Sequence, residues 1–193
     1  MEETENANAE VAEKTTNSQD FWTEQYQKIQ NYFSENKNAL YYVLGGIGVV
    51  VLGFFGYRYY ISERNSEGQI AMFQAVYYLE RDSLNKALNG DGTNLGMVDI
   101  SSEYSGTLPG NLANFYAGVA YIRSGKFQEG LDFLENFSSS DYLIQARAWS
   151  LMGDAYSELQ DHENGVKYYL KAAKHNTNKV FSPSYFMKAA LCY

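Results

Sequence analysis

The residue types able to do acid–base, nucleophilic or metal chemistry are few in this chain, and their spacing is wrong for it. It holds two histidines, His162 and His175, and one cysteine, Cys192. A helical zinc-hydrolase motif needs two histidines one turn apart, so that both rings reach the same ion. In the stretch His162-Glu163-Asn164-Gly165-Val166 the position of the second histidine is taken by valine. Cys192 has no histidine near it in sequence to take its proton. Glu158, Asp161 and Glu163 read as a solvated face without metal-ligand spacing. The glycine-rich stretch from Gly90 to Gly96 resembles a phosphate loop only superficially. It lacks the preceding strand and the Lys-Ser/Thr pair, and reads as an interhelical turn. No nucleophile, base and orienting group occur as a set. The expectation is a protein that is not an enzyme, with no catalytic residue, cofactor or metal. A single cysteine excludes an internal disulfide framework. The net charge of −8 disfavours nonspecific binding to nucleic acid, which needs a surplus of Lys and Arg.

The elements around these residues divide the chain into five stretches. Residues 1–18 contain little apolar matter beyond alanine and one valine, and are expected to be a disordered acidic tail. Residues 39–61 form the next clear feature. From Ala39 to Tyr57 the chain reads ALYYVLGGIGVVVLGFFGY without a charge. Nineteen residues at ~1.5 Å each give ~28 Å, close to the ~30 Å of a bilayer's hydrocarbon core. Tyr41 and Tyr42 at one end, and Tyr57, Tyr59 and Tyr60 at the other, match the aromatic belts of a spanning helix. The long acidic lead and the lack of a small-x-small site after the run predict an uncleaved anchor in the lipid bilayer. Gly45, Gly46, Gly48, Gly53 and Gly56 fall within an arc of roughly 160° at ~100° per residue. Such a face permits close approach by another membrane helix, although glycine is also common in membrane helices generally. Lys28 and Lys37 on one flank balance Arg58 and Arg64 on the other, so charge alone gives no orientation.

Residues 19–38 predict an amphipathic juxtamembrane helix. Trp22, Tyr26, Ile29 and Phe33 recur at spacings of four, three and four. Three placements fit it: in the membrane interface, on a partner protein, or as a continuation of the spanning helix.

Residues 62–109 predict an atypical helix pair. After the polar stretch Ser62–Glu67, Ser66 and Gln69 suit a capping box. Ile70, Phe73, Val76 and Tyr77 form a stripe that Leu84 and Leu88 resume after an interruption at Glu80. The helix then ends at Asn89-Gly90. A second short helix is expected at 94–104, packed back on the first.

Residues 110–193 carry the most specific pattern. The segments NLANFYAGVAYIRSGKFQEGLDFLENF (111–137) and AWSLMGDAYSELQDHENGVKYYLKAA (148–173) overlay when Gly118 is set on Gly153. Tyr121 then falls on Tyr156, and Gly130 on Gly165. This spacing resembles the tetratricopeptide repeat (TPR), in which a small residue lets two antiparallel helices approach and a tyrosine three residues later fills the gap above it. Trp149 takes the usual tryptophan position, and His162 one that is usually aromatic and serves packing. The fold class expected is therefore all-α: one transmembrane helix followed by a TPR-type solenoid of helix pairs. A third unit begins with Ser182 as cap and Pro183 at the first turn. It stops in mid-helix, so ~30–50 further residues of repeat and cap are expected beyond Tyr193. In such solenoids the first helix of each pair lines a partner groove. Here that selects Leu112, Phe115, Val119, Ile122 and Arg123 from one unit, and Arg147, Ser150, Asp154, Ser157 and Glu158 from the next. Alternatively, the helix at 66–89 covers Phe115 and Val119.

Acidic tail, span at 39–61, atypical pair and the segment GNLANFYAGVAYIRSGKFQEGLDFL together resemble the YfgM-like TPR proteins, ancillary subunits of the bacterial SecYEG translocon, in a form like that of the Bacteroidota. The resemblance implies an inner-membrane anchor with a cytoplasmic N-terminus and periplasmic repeats. It implies as partners SecYEG and a membrane-anchored periplasmic chaperone of the peptidyl-prolyl isomerase type. Two other functions share the layout: a scaffold for a different envelope machine, and a receptor whose repeats face the cytosol.

Overall fold

The structure, a computed structural model, describes residues 22–32, 37–175, 177 and 179–192. The expectations for the acidic tail, for Phe33 and for Tyr193 lie outside these residues. All regular structure among the described residues is helical. The helices are α1 (22–32), α2 (Lys37–Glu80), α3 (Leu84–Asn89), α4 (Met97–Glu103), α5 (Leu108–Arg123), α6 (Phe127–Glu135), α7 (Tyr142–Glu158), α8 (His162–His175) and α9 (Ser182–Leu191). The chain separates into two units, Met1–Arg58 and Tyr59–Tyr193.

In the first unit, α2 contributes a stretch long and apolar enough to cross a membrane. Its side chains from Tyr41 to Tyr57 are almost all exposed, Val50, Leu52 and Phe55 among them. The stretch is thus apolar on every side, and no described residue covers it.

In the second unit, two corrections begin on α2. Ser66 and Gln69 cap nothing, because both lie inside α2, and the polar stretch Ser62–Glu67 is helical throughout. The residues there lack any proline, and Asn65 spends its side chain on accepting from the Leu108 N–H at 2.9 Å, away from its own backbone. The helix also ends earlier than expected, at Glu80, the residue that interrupts the apolar stripe. Asp82 adopts a left-handed conformation (φ 59°), and α3 follows as a separate helix closed by Gly90. The second short helix is present and runs from Met97 to Glu103, between Gly96 and Tyr104.

The break at Asp82 is one of three equivalent turns. The Ser83 N–H donates to the Tyr78 carbonyl at 2.9 Å, Lys126 to Tyr121 at 2.9 Å, and Asp161 to Tyr156 at 2.9 Å. The residue before each donor has positive φ: Asp82 (59°), Gly125 (76°) and Gln160 (62°). Nine residues beyond each tyrosine stands a small residue that is wholly covered: Ala87, Gly130 and Gly165. Three residues before it stands another: Ala75, Gly118 and Gly153. The pair at 62–109 is therefore a first unit of the same kind, made by the end of α2 with α3, followed by the inserted helix α4. The pairs α5–α6 and α7–α8 are the second and third.

The reason for the small residues is steric. A Cβ on Gly118 would lie 2.6 Å from Leu134 Cγ, and one on Gly153 2.6 Å from the Tyr169 ring. Leu134 and Tyr169 occupy equivalent places, and both are buried. Ala75 can keep its Cβ because the six-residue α3 ends before the corresponding position. Each tyrosine then lies on the second helix of its pair. Tyr121 stacks on Phe133 and Tyr156 on Tyr168, with ring centroids 5.3 Å apart in both pairs. Tyr78 has no ring to meet on short α3, and instead donates its hydroxyl to Asp91 Oδ2 at 2.7 Å.

One core cluster joins α2, α3, α4 and α5 through Met72, Ala75, Leu79, Met97, Ile100 and Ala117. A second joins α5, α6 and α7 through Phe115, Leu131, Leu134, Phe137 and Met152. Thr107 caps α5 and Asp141 caps α7 by accepting backbone N–H groups. At α9 the cap position falls to Phe181, and Ser182 is the first helical residue.

Gly118→Val and Gly153→Val should each lower unfolding free energy by about 1–3 kcal/mol, since the tightly packed neighbours must move. Ser66→Ala should change it by less than about 0.5 kcal/mol, whereas loss of a true N-cap costs about 1. Denaturant unfolding of the detergent-solubilised chain, followed by circular dichroism, measures both.

Candidate functional site

Most side chains expected in the partner groove are engaged inside the protein. Phe115 is only 7% exposed. Its ring lies 5.1 Å from that of Phe137, in the cluster with Met152. The cover comes from the α6–α7 side, while the helix at 66–89 reaches Arg123 instead. Arg123 donates to Asp82 Oδ1 at 2.8 Å and to the Leu79 carbonyl at 3.4 Å, closing the carbonyl end of α2. Val119 packs at the edge of the second core cluster, and Ile122 sits where a Cβ on Gly130 would come within 2.6 Å. Arg147 is exposed. Asp154 accepts from the Tyr169 hydroxyl at 2.7 Å and pairs with Lys188 Nζ of α9 at 2.7 and 2.8 Å. It fastens α8 and α9 to α7. Trp149 packs on α8, with Lys171 Nζ 4.2 Å from its ring centre and the His175 ring 4.7 Å away, edge-on.

The accessible groove lies one unit earlier. Gln69, Met72, Phe73, Val76, Tyr77 and Glu80 of α2 and Leu112 and Tyr116 of α5 line a cleft of ≈ 420 Å³. Phe73 is 74% exposed, and Ile70, one turn before it, 75%. Of the stripe read from spacing, Ile70, Phe73 and Tyr77 are thus open, Val76 and Leu84 are half-buried against the core, and Leu88 lies in it. The core face of α2 is a second stripe, Met72, Ala75 and Leu79. Both stripes have three- and four-residue spacing, so a helix apolar on two faces gives one periodic signal. The clue available in the sequence was the small–Tyr–small spacing at Ala75, Tyr78 and Ala87, which fixes the face that meets the partner helix.

A larger cleft of ≈ 720 Å³ is lined by polar groups, among them Asn65, Asn111, Asn114 and Asn136. Its amides serve the fold. Asn111 and the Ser138 backbone bond each other reciprocally, at 2.7 and 3.1 Å, which pins the α6–α7 connection to α5. The glycine-rich stretch is the expected turn. Asp91 Oδ1 accepts from the backbone N–H groups of Thr93 and Asn94 at 2.8 and 2.7 Å.

Cys192 does have a histidine near it in space: Sγ lies 3.7 Å from His162 Nδ1 and 3.0 Å from Ser157 Oγ. The sulfur occupies the space over Gly165, where a Cβ would come within 3.0 Å. Its evident role is to seat α9 on the third pair. Among the described residues no group of three or more His, Cys, Asp or Glu side chains could hold a metal ion.

No protein-family model and no curated protein matches this chain. In the first unit, a Cβ on Gly45, Gly46, Gly48, Gly53 or Gly56 meets no atom within 4 Å. Packing within the described residues does not explain that glycine face.

Several tyrosines of the α7–α9 region are partly withdrawn from solvent. Burial raises the pKa values of Tyr156, Tyr168, Tyr169 and Tyr185. For Tyr169 the hydrogen bond to Asp154 adds to this. A tyrosine whose folded pKa exceeds its unfolded value binds its proton more tightly when folded. Its contribution is complete below about pH 10 and is lost as the pH rises beyond that. Denaturation midpoints should therefore fall steeply above about pH 10. Tyr169→Phe should flatten that slope, as read by helical circular dichroism together with tyrosinate absorbance.

Proposed function

We propose that this chain is a non-enzymatic, membrane-anchored TPR scaffold that holds other proteins beside a bilayer. The observation that carries the proposal is the threefold repetition of one helix pair, with the same turn, the same tyrosine and the same small residues. Stacked pairs of this kind are a recurring way to present an elongated protein-binding surface. The apolar stretch of α2 supplies the anchor, and its open glycine face offers a lateral docking surface to another membrane helix. The groove at Phe73, Tyr77, Leu112 and Tyr116 supplies an apolar contact for a partner. Aromatic side chains held on a helix are common binding anchors.

The partners in this proposal come from the resemblance to YfgM-like proteins. They are the SecYEG translocon, met laterally by the span, and a membrane-anchored periplasmic peptidyl-prolyl isomerase-type chaperone with its clients, met by the groove. The anchor would sit in a bacterial inner membrane, with the N-terminus in the cytoplasm.

Photo-crosslinkers placed singly at positions 41–60 and at Phe73 and Tyr77, in native membranes, test both halves. Adducts with translocon subunits from the span, and with the chaperone or clients from the groove, are expected. Phe73→Glu combined with Tyr77→Glu should reduce groove-dependent association about tenfold, as loss of central aromatic anchors does, and leave the span adducts unchanged. Adducts with another envelope complex would reassign the partner. Release of the chain by alkaline carbonate would remove the anchor, and digestion of a tag after Tyr193 only from the cytosolic side would reverse the orientation.

A further inference from the structure

The helix α1 carries an exposed apolar face. At ~100° per residue, Trp22, Tyr26 and Ile29 fall within an arc of about 60°. Trp22 is 68% exposed, and Tyr26 and Ile29 are also more than half exposed. A shallow apolar cleft is formed along this face by Trp22, Tyr26 and Ile29 with Thr23 and Gln25. The charged residues of 22–32 are Glu24 and Lys28, both on the opposite side of the helix. They pair with each other at 2.8 Å. The helix therefore presents a face of Trp22, Tyr26 and Ile29, with Tyr32 to one side of it, and its two charged residues cancel.

Its position is limited by the chain. From Tyr32 to Lys37 there are five peptide steps, which reach at most ~18 Å fully extended. The charge-free run that suits a bilayer begins two residues later, at Ala39. With 39–57 in the membrane, α1 cannot leave its surface by more than about that distance. Trp and Tyr, which have an apolar ring and a polar edge, are the side chains that partition best into the headgroup boundary. A helix with such a face and a polar back lies along the interface.

We propose that α1 lies flat in the headgroup layer next to the anchor, with Trp22, Tyr26 and Ile29 turned toward the acyl chains. The ligand is the lipid surface itself. Because Glu24 and Lys28 neutralise one another, the contact is apolar and does not select anionic lipid. The proposal rests on the anchor assigned above, and not on the identity of any protein partner.

The full chain, reconstituted in phosphatidylcholine vesicles, provides the test. In a Cys192→Ser background, single variants Tyr26→Cys, Ile29→Cys, Gln27→Cys and Asn31→Cys are labelled with a membrane-impermeant maleimide, and Leu52→Cys serves as the control within the span. Labelling at 26 and 29 should be several-fold slower than at 27 and 31, unchanged by high salt or by added phosphatidylglycerol. In a Trp149→Phe background, Trp22 emission should be quenched by lipids brominated near the carbonyl end of the acyl chain. Equal labelling at all four positions, whether fast or slow, overturns the proposal, as does slow labelling at 26 and 29 confined to native membranes, which would mean a protein covers the face. Rapid labelling of Leu52→Cys would sink the anchor itself, and is thereby distinguished from failure of α1 alone.

Discussion

The second unit depends on how closely two helices can approach where neither has a side chain to spare. At Gly118 and Gly153 the facing Leu134 and Tyr169 stand where a Cβ would collide with them. That proximity places a tyrosine, one turn later, flat against the second helix. With the helices so near, the three-residue turn between them must be sharp, and a left-handed residue provides the sharpness in all three units. Glycine takes that conformation without penalty, whereas Asp82 and Gln160 take it against a modest steric cost. The core clusters, the burial of Phe115 and the use of Arg123 follow from this geometry.

Much of this was legible in the residues. The helical class, the apolar run, the turn at Gly90–Gly96 and the 35-residue correspondence of the second and third pairs come from local composition and spacing. The first pair was harder to see for two physical reasons. Alanine stands where the later pairs have glycine, at positions 75 and 87, and at 75 the short α3 leaves room for its Cβ. The insertion of α4 also stretches the offset to the next unit, so Ala75 and Gly118 stand 43 positions apart. The choice between the two apolar stripes of α2 depended on where α5 would lie, which periodicity does not contain. The meeting of Cys192 with His162, and of Arg123 with Asp82, joins residues dozens of positions apart, and no local pattern announces it.

The division of labour among the first helices of the pairs also differs from what spacing implied. On α5 and α7 the chosen side chains hold the units together: Ile122 over Gly130, Arg123 on the end of α2, Asp154 on Lys188 and Tyr169. On α2 the corresponding surface is left open, with Phe73 and Tyr77 beside Leu112 and Tyr116. The open apolar surface thus lies on the helix pair nearest the apolar run in sequence, while the corresponding side chains of the later pairs are spent on holding the pairs together.

The short turns have a consequence for how this protein is made. In the second and third pairs the residues that must meet, Tyr121 and Phe133, and Tyr156 and Tyr168, are twelve positions apart. Loops of that length close quickly and at small entropic cost, and topologies dominated by such contacts fold fast. A hairpin of helices can therefore condense as soon as its own residues emerge, and serve as a template for the one behind it. Synthesis would deliver the helix pairs in chain order, with little exposed apolar chain at any moment.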